Sequence, residues 1–360
     1  MKPVVIDKIA SVTGNCRLQR EARLGSEFPC REGDVVAVRV LTSKSTYDQL
    51  ELTTGRFCKL NAGDVMAGAL GHRNALKGYA GRLPEKLAVG DVIQVLNLGG
   101  VLGIYEDGNP KVGRPFDCEV LGQVLSFPYF GERIGVPASI KDAALPFEEP
   151  DLNSLPPLVA LVGSSMDAGK TSAATALIQE LVRRRVRVSA AKATGVSLRR
   201  DVLSMEDAGA FESLVFTDFG VVTTQPKNAP ALARAMLARL ARRRPDVVVM
   251  ELGDGLLGTY GVDAILSDPV FQQAMKCMIL CASDPVAAWG GVKRLDEAYG
   301  LRPDLISGPA TDNGAGNRIL EQMTGLPAVN ALVHPREFAD VVVAALGAAG
   351  VLRQDEGSAS

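Results

Sequence analysis

The run LVALVGSSMDAGKTSAATALIQELVRRR, residues 158–185, constrains the chain more tightly than any other part of it. Its five leading apolar residues read as a buried strand, the loop GSSMDAGKT at 163–171 follows at once, and a helical stretch comes next. A phosphate cradle needs inward-pointing backbone N–H groups, a lysine for the terminal phosphates, a hydroxyl for magnesium and a helix N-terminus behind them. Gly169, Lys170 and Thr171 supply the end of that set, and Gly163, Ser164, Ser165, Asp167, Ala168 and Ser172 are expected to complete the nucleotide contacts. The usual G-x-x-x-x-G-K-[ST] spacing would place glycine at 164, where this chain has Ser164, preceded by Gly163. Serine can serve there only if the loop does not require positive φ at that residue.

With 360 residues the chain has room for two cores, and its two halves differ in pattern. Residues 1–136 read as short strands broken by Gly, Asp and Asn, a small β-barrel or sandwich. Three Gly-Asp turns recur there, in EGDVVAV (32–38), AGDVMAG (62–68) and VGDVIQV (89–95), because glycine tolerates positive φ and aspartate caps its own turn. GALGHRNALKGYAG (68–81) is a glycine-rich loop that either brings Arg73 and Lys77 to a substrate anion or forms tight barrel corners with solvated charges. A Pro- and acid-rich linker spans 137–157, and a disordered tail is expected at 351–360.

Between them, 158–350 alternates strands (158–162, 186–192, 246–251, 276–282, 304–307, 328–332) with helices (about 170–185, 205–214, 229–243, 289–299, 314–324, 335–348). Continuous apolar strands such as DVVVMEL imply burial on both faces. The expected fold is therefore α/β, a doubly wound, mostly parallel sheet of the P-loop NTPase type preceded by a small all-β barrel-like domain. Ligands of such sheets gather at the carboxyl ends of the strands.

A net charge of −2 gives no overall footprint for nucleic acid or anionic membrane, and no apolar run approaches the roughly 20 residues that cross a bilayer. The first residues lack a signal-peptide pattern, so a cytoplasmic protein with a small-molecule substrate is expected, without membrane or nucleic-acid partners. The six cysteines are scattered and read as reduced thiols. Arg183, Arg184 and Arg185, like Arg242, Arg243 and Arg244, close helices, where cations complement the dipole. The two histidines, His72 and His334, lie in different halves, which argues against a histidine relay.

The loop resembles that of dethiobiotin synthetase and related ATP-dependent amide-forming, carboxylate-activating P-loop enzymes, and further motifs follow in order. AAKATG places Lys192 at a strand end with Thr194 and Gly195 behind it, MEDAGAF offers Asp207, and VVMELGDGLLG offers Glu251 with Gly253 and Gly255. The resemblance covers residues 155 to about 335. It departs from the family in Ala193 where proline is usual, in the inserted Leu252 with Asp254, and in the adenine-reading asparagine, for which Asn313 is the nearest counterpart. A P-loop family associated with D-glutamate derivatives shows a similar loop, a similar glycine-rich strand end and an N-terminal domain of its own.

The resemblance implies ATP and Mg²⁺, with Lys170 and Lys192 as catalytic cations flanking the γ-phosphoryl group. Thr171, Asp207 and Glu251 are the expected metal shell, since Mg²⁺ takes hard oxygen ligands and retains water. Arg199 and Arg200 in SLRRD, together with Thr194, Gly195 and Asp254, are candidates for the substrate. The family also implies a homodimer. The expected function is MgATP-dependent activation of a small carboxylate or amine-bearing metabolite; the alternatives are a nucleotide-dependent switch acting on a protein partner and a polynucleotide kinase.

Overall fold

A computed structural model describes residues 1–129, 131 and 133–351, so apart from Val351 the expected tail lies outside the described residues. The chain forms two compact units. One comprises Met1–Pro146, Val196–Arg200 and Val215–Thr224; the other comprises Phe147–Gly195, Asp201–Leu214 and the chain from Gln225 onward. The division after Pro146 falls inside the Pro- and acid-rich stretch, and two short segments from later in the chain belong to the first unit.

The first unit is all β apart from short 3₁₀ turns. Its strands are β1 (Lys2–Val5), β2 (Lys8–Ile9), β3 (Glu21–Gly25), β4 (Val35–Val40), β5 (Gln49–Glu51), β6 (Phe57–Lys59) and β7 (Val65–Leu70). β8 (Arg73–Asn74), β9 (Tyr79–Arg82), β10 (Val92–Val95), β11 (Val101–Gly108), β12 (Asp117–Ser126) and β13 (Val136–Pro137) complete it. Their pairings close a ring in which β12 meets β4, β4 meets β7, β7 meets β11, β11 meets β10, and β10 returns to β12. Closure pairs both sides of each strand in the ring, leaving edges at strands outside it such as β1 and β8, and the core includes residues such as Val36, Val38, Met66, Leu70, Ile93, Leu102 and Val120.

The three Gly-Asp turns have one geometry. Gly33, Gly63 and Gly90 take φ of 92°, 94° and 94°. The aspartate after each accepts from the amide three residues back: Asp34 from Arg31 at 2.9 Å, Asp64 from Asn61 at 2.6 Å and Asp91 from Ala88 at 2.7 Å. Each turn thereby satisfies its own polar groups before launching an apolar strand.

Residues 68–81 are not an open loop, because they contain the end of β7, all of β8 and the start of β9. Arg73 is buried and committed within this unit. Its Nη1 donates to Tyr47 Oη at 3.0 Å and to the Leu96 carbonyl, and its guanidinium lies 5.7 and 5.9 Å from the ring centres of Tyr47 and Tyr79. Its Nε has no hydrogen-bond partner among the described residues, but the partners of Nη1 and the two rings hold the buried guanidinium inside the barrel, away from its expected place against a substrate anion. Lys77 is exposed.

The second unit carries the parallel sheet. Its strands are β14 (Leu158–Gly163), β15 (Val188–Thr194), β16 (Ser213–Val215), β17 (Val247–Leu252), β18 (Met275–Cys281) and β19 (Leu305–Ser307), in the order β16-β15-β17-β14-β18-β19. The helices are α1 (Lys170–Arg183), α2 (Arg200–Asp207), α3 (Ala229–Ala241), α4 (Val262–Leu266), α5 (Pro269–Ala274), α6 (Pro285–Tyr299), α7 (Gly314–Thr324) and α8 (Pro335–Ala348). α1 lays Ala173, Ala174, Leu177, Ile178 and Leu181, with Phe338 and Val342 of α8, on the sheet face formed by Val159, Leu161, Val188, Ala190, Val247 and Val249. The chain is thus a mixed α/β protein with a mostly parallel sheet and a separate barrel-like β unit. Among the described residues, no helix is long and apolar enough to cross a membrane.

Two expected elements differ. The helix expected at 205–214 instead runs as α2 over Arg200–Asp207, ends before Gly209 at φ 109°, and gives way to β16. The strand expected at 328–332 is reduced to one bridge between Ile306 and Ala328. There the Asn330 side chain accepts from the amides of Leu332 and Val333, a turn that competes with strand pairing. The acids of the linker have partners on and just after α3, where Glu149 lies 2.7 Å from Arg234 and Glu148 pairs with Arg242, the residue that follows the helix.

Arg73→Ala is expected to lower the stability of the β unit by about 2–3 kcal/mol, because it leaves the Tyr47 hydroxyl and the Leu96 carbonyl short of a donor. Lys77→Ala should change it by less than about 0.5 kcal/mol. Urea unfolding followed by tyrosine fluorescence distinguishes the two; equal effects would return both cations to one role.

Candidate functional site

The site grows out of strand register. Lys192 on β15 stands opposite Glu251 on β17, and Glu251 in turn stands opposite Leu161 on β14. Alternation along the strands puts Lys192 and Glu251 on the face that carries Val188, Ala190, Val247 and Val249, the face that α1 covers. Thr171, in the first turn of α1, therefore arrives at the carboxylate, and its Oγ1 donates to Glu251 Oε2 at 2.8 Å. Lys192 Nζ lies 3.3 Å from Glu251 Oε1 and also donates to Asp201, in the first turn of α2.

Glu251 is 2% exposed, so an isolated charge there would be costly. Burial by itself pushes the Lys192 pKa down, but the carboxylates of Glu251 and Asp201 outweigh it, and the pKa ends raised. Because the folded value exceeds the ordinary 10.5, this ion network contributes fully below that pH and is lost as pH climbs above it.

The loop itself is built around Lys170. A Cβ on Gly163 would lie 2.7 Å from Lys170 Nζ and 2.8 Å from its Cδ, so glycine at the end of β14 leaves the corridor that the lysine stem fills. The buried Nζ donates to the carbonyls of Ser165, at 2.9 Å, and Asp254. Burial pushes the Lys170 pKa below its ordinary value. Ser164 avoids positive φ, which Asp167 and Gly169 adopt instead at 62° and 87°, so serine is accommodated where glycine is usual. Ala168 is buried, while Asp167 and Ser172 are exposed.

The segment after β17 crosses this loop closely. Leu256 N donates to the Gly163 carbonyl at 2.9 Å, and a Cβ on Gly255 would lie 2.8 Å from Ser165 Cα. Asp254, buried and at φ 69°, turns the chain there. Thr194 Oγ1 donates to the Gly253 carbonyl at 3.0 Å, tying the ends of β15 and β17 together beside Gly195, whose φ is 132°.

Among the described residues, no three His, Cys, Asp or Glu side chains cluster as a metal cage. The donor chemistry that is present, the Thr171 hydroxyl beside the Glu251 carboxylate, suits a hard cation that keeps water and phosphate oxygens as its other ligands.

No protein-family model and no curated protein matches the chain. Solved structures similar to it include a DUF1611 family protein from Anabaena variabilis, with 16% identity and a TM-score of 0.42 over 58% of this chain and 63% of that one. The signal recognition particle 54 kDa protein of Aeropyrum pernix in complex with GDP shows 18% identity and a TM-score of 0.37 over 57% and 49%. Hydrogenase maturation factor HypB from Archaeoglobus fulgidus shows 14% identity and 0.39 over 54% and 91%. The chain spans less than two thirds of the length of the first two, and none of the three is a dethiobiotin synthetase. At this level of likeness the functional reading rests on the site's own geometry.

Four expected residues stand elsewhere. Asp207 is exposed at the last position of α2, and at 1.5 Å per residue it lies about 9 Å along the axis from Asp201. The acid that meets Lys192 is therefore Asp201, which ends the SLRRD run behind its two arginines. Arg199 and Arg200 belong to the β unit: the guanidinium of Arg199 lies 3.7 Å from Asp218, and that of Arg200 stands 5.6 Å from the Phe57 ring centre. Their backbone amides donate to Glu51, a fully buried carboxylate that no sequence motif marked. Asn313 caps α7, its Oδ1 accepting from Ala315 and Gly316.

Lys192→Met is expected to destabilise the α/β unit by about 3–5 kcal/mol, since it strands two carboxylates at a buried position. Adding Glu251→Gln should recover part of the loss, and chemical denaturation of both variants measures the coupling. Strictly additive losses would show that the pair does not act as one network.

Proposed function

We propose that the α/β unit binds a nucleoside triphosphate, ATP in the first instance, with Mg²⁺, and uses its terminal phosphoryl group to activate a small carboxylate or amine-bearing metabolite. The observation that carries this reading is the meeting of the Gly163–Lys170 loop with the Thr171–Glu251 pair at the ends of adjacent parallel strands. Lys170 would hold the β and γ phosphates, and the loop amides with the α1 N-terminus would receive their charge. Thr171 and Glu251 would hold Mg²⁺, which when bound neutralises phosphate charge and polarises the transferred group. Lys192, kept protonated by Glu251 and Asp201, supplies a fixed positive charge at the same strand ends. Such preorganised charge is most effective where water is scarce.

A second reading, a nucleotide-dependent switch, has an observation of its own. The segment from Lys192 to Asp201 passes through residues 196–200, which belong to the β unit, and Glu51 holds the amides of Arg199 and Arg200 there. A change at the strand end would be transmitted along that segment. The net charge of −2 gives a polynucleotide kinase no comparable support.

Lys170→Ala should weaken ATP and GTP binding by more than about tenfold in isothermal titration, with the fold retained. Unchanged affinity for both nucleotides would end the phosphate-loop assignment. Glu251→Gln should raise the Mg²⁺ concentration needed for half-maximal binding, whereas Asp207→Asn should leave it unchanged. The two readings separate by ADP release: stimulation by a panel of small carboxylates and amines supports the enzyme, and stimulation only by a macromolecular fraction supports the switch.

A further inference from the structure

The β unit has a cleft of its own, of about 520 Å³, walled by residues 42–46 and 110–115. That volume lies within the usual range of small-molecule sites. Lys44, Lys111 and Arg114 line it against a single carboxylate, Asp117, so three positive charges minus one leave the lining at +2. Asp117 accepts from Gln94 Nε2 at 2.9 Å, and Asp48, which acts on Lys44, lies 3.6 Å from Lys59. Among the described residues, none of the three cations is in an ion pair.

What fixes two of these cations is aromatic. Lys44 Nζ stands 5.1, 5.5 and 5.9 Å from the ring centres of Tyr79, Phe116 and Tyr47, and it donates to the Val112 carbonyl at 3.1 Å and to Tyr79 Oη. The Arg114 guanidinium stands 5.8 Å from the Tyr105 ring centre. Aromatic partners position a cation without cancelling its charge, as a carboxylate would. Surface lysines and arginines used only for solubility need no such support. Ser43, Ser45 and Thr46 add hydroxyls, which can donate to an anion, along the same wall.

We propose that this cleft is a binding site for a small polyanion, a molecule bearing a phosphate group or paired carboxylates, held by Lys44, Lys111 and Arg114. It is separate from the phosphate loop in residues and in unit, so the two assignments stand or fall independently. The test uses the full chain carrying Lys170→Ala, so that the loop does not compete for the probe. Inorganic pyrophosphate and, in a second arm, malonate are titrated calorimetrically at low and high salt. One equivalent should bind, more weakly as salt rises, and Lys111→Ala with Arg114→Ala should reduce the affinity about tenfold or more while circular dichroism stays unchanged. Lys44→Met, which keeps an unbranched apolar stem among the rings, should give a similar loss. Binding of pyrophosphate alone identifies phosphate as the recognised group, and binding of both probes identifies a general dianion. Absence of binding at millimolar concentration in both arms, or affinity that these substitutions leave unchanged, overturns the proposal.

Discussion

A carboxylate that is 2% exposed must be surrounded by partners, and around Glu251 those partners arrive from three separate elements. Thr171 comes from α1, Lys192 from β15, and Asp201 joins from α2 through Lys192. Removing one member leaves the others charged and poorly solvated, a larger penalty than the attraction any one pair contributes. The network therefore fixes relative positions more than it adds stability: the start of α1, the end of β15 and the first turn of α2 are registered against one side chain. Chemistry that depends on placing a lysine and a hydroxyl within a few ångström of a phosphate needs that kind of registration.

Lys170 sets the second constraint. A buried ammonium with a lowered pKa is a donor held in readiness, and its two carbonyl partners, on Ser165 and Asp254, belong to the loop before α1 and the loop after β17. Gly163 makes the arrangement sterically possible, and Gly255 lets the second loop come close enough to offer a carbonyl. The glycine at 163 is thus displaced by one residue from the usual spacing for a physical reason: it clears the lysine stem, while the left-handed turns fall at Asp167 and Gly169.

Much of this was legible in the residues. Continuous apolar runs marked the five parallel strands β14, β15, β17, β18 and β19, and the Gly-Asp turns announced the barrel, because both signals are local. Asp207 was misplaced because a helix boundary decides which acid faces the strand end, and the boundary depends on Gly209 and on the pairing of β16, neither of which periodicity alone reveals. Arg73 was misread for a related reason. Glycines on either side suggest an approachable backbone, but the partners that bury its guanidinium, Tyr47, Tyr79 and Leu96, come from other strands and turns. Glu51 had no signal at all, since its partners Arg199 and Arg200 lie 148 and 149 residues away.

That long-range contact bears on how the strand end can move. Glu51 accepts from Ser11 Oγ and from the amides of Arg199 and Arg200, the residues that open α2, where a negative charge also meets the positive end of the helix dipole. Asp201 follows immediately and accepts from Lys192, so the nine-residue segment between them ends at a carboxylate whose preceding amides are held by one other acid, Glu51. A shift of Lys192 toward a new anionic partner must either release Asp201, leaving that carboxylate to water, or draw the first turn of α2 with it against the hold of Glu51. The second course breaks hydrogen bonds to a fully buried acid, which is the more expensive loss. Lys192 should therefore change partners while α2 stays in place, so that Asp201 remains as the counter-charge to which the lysine returns.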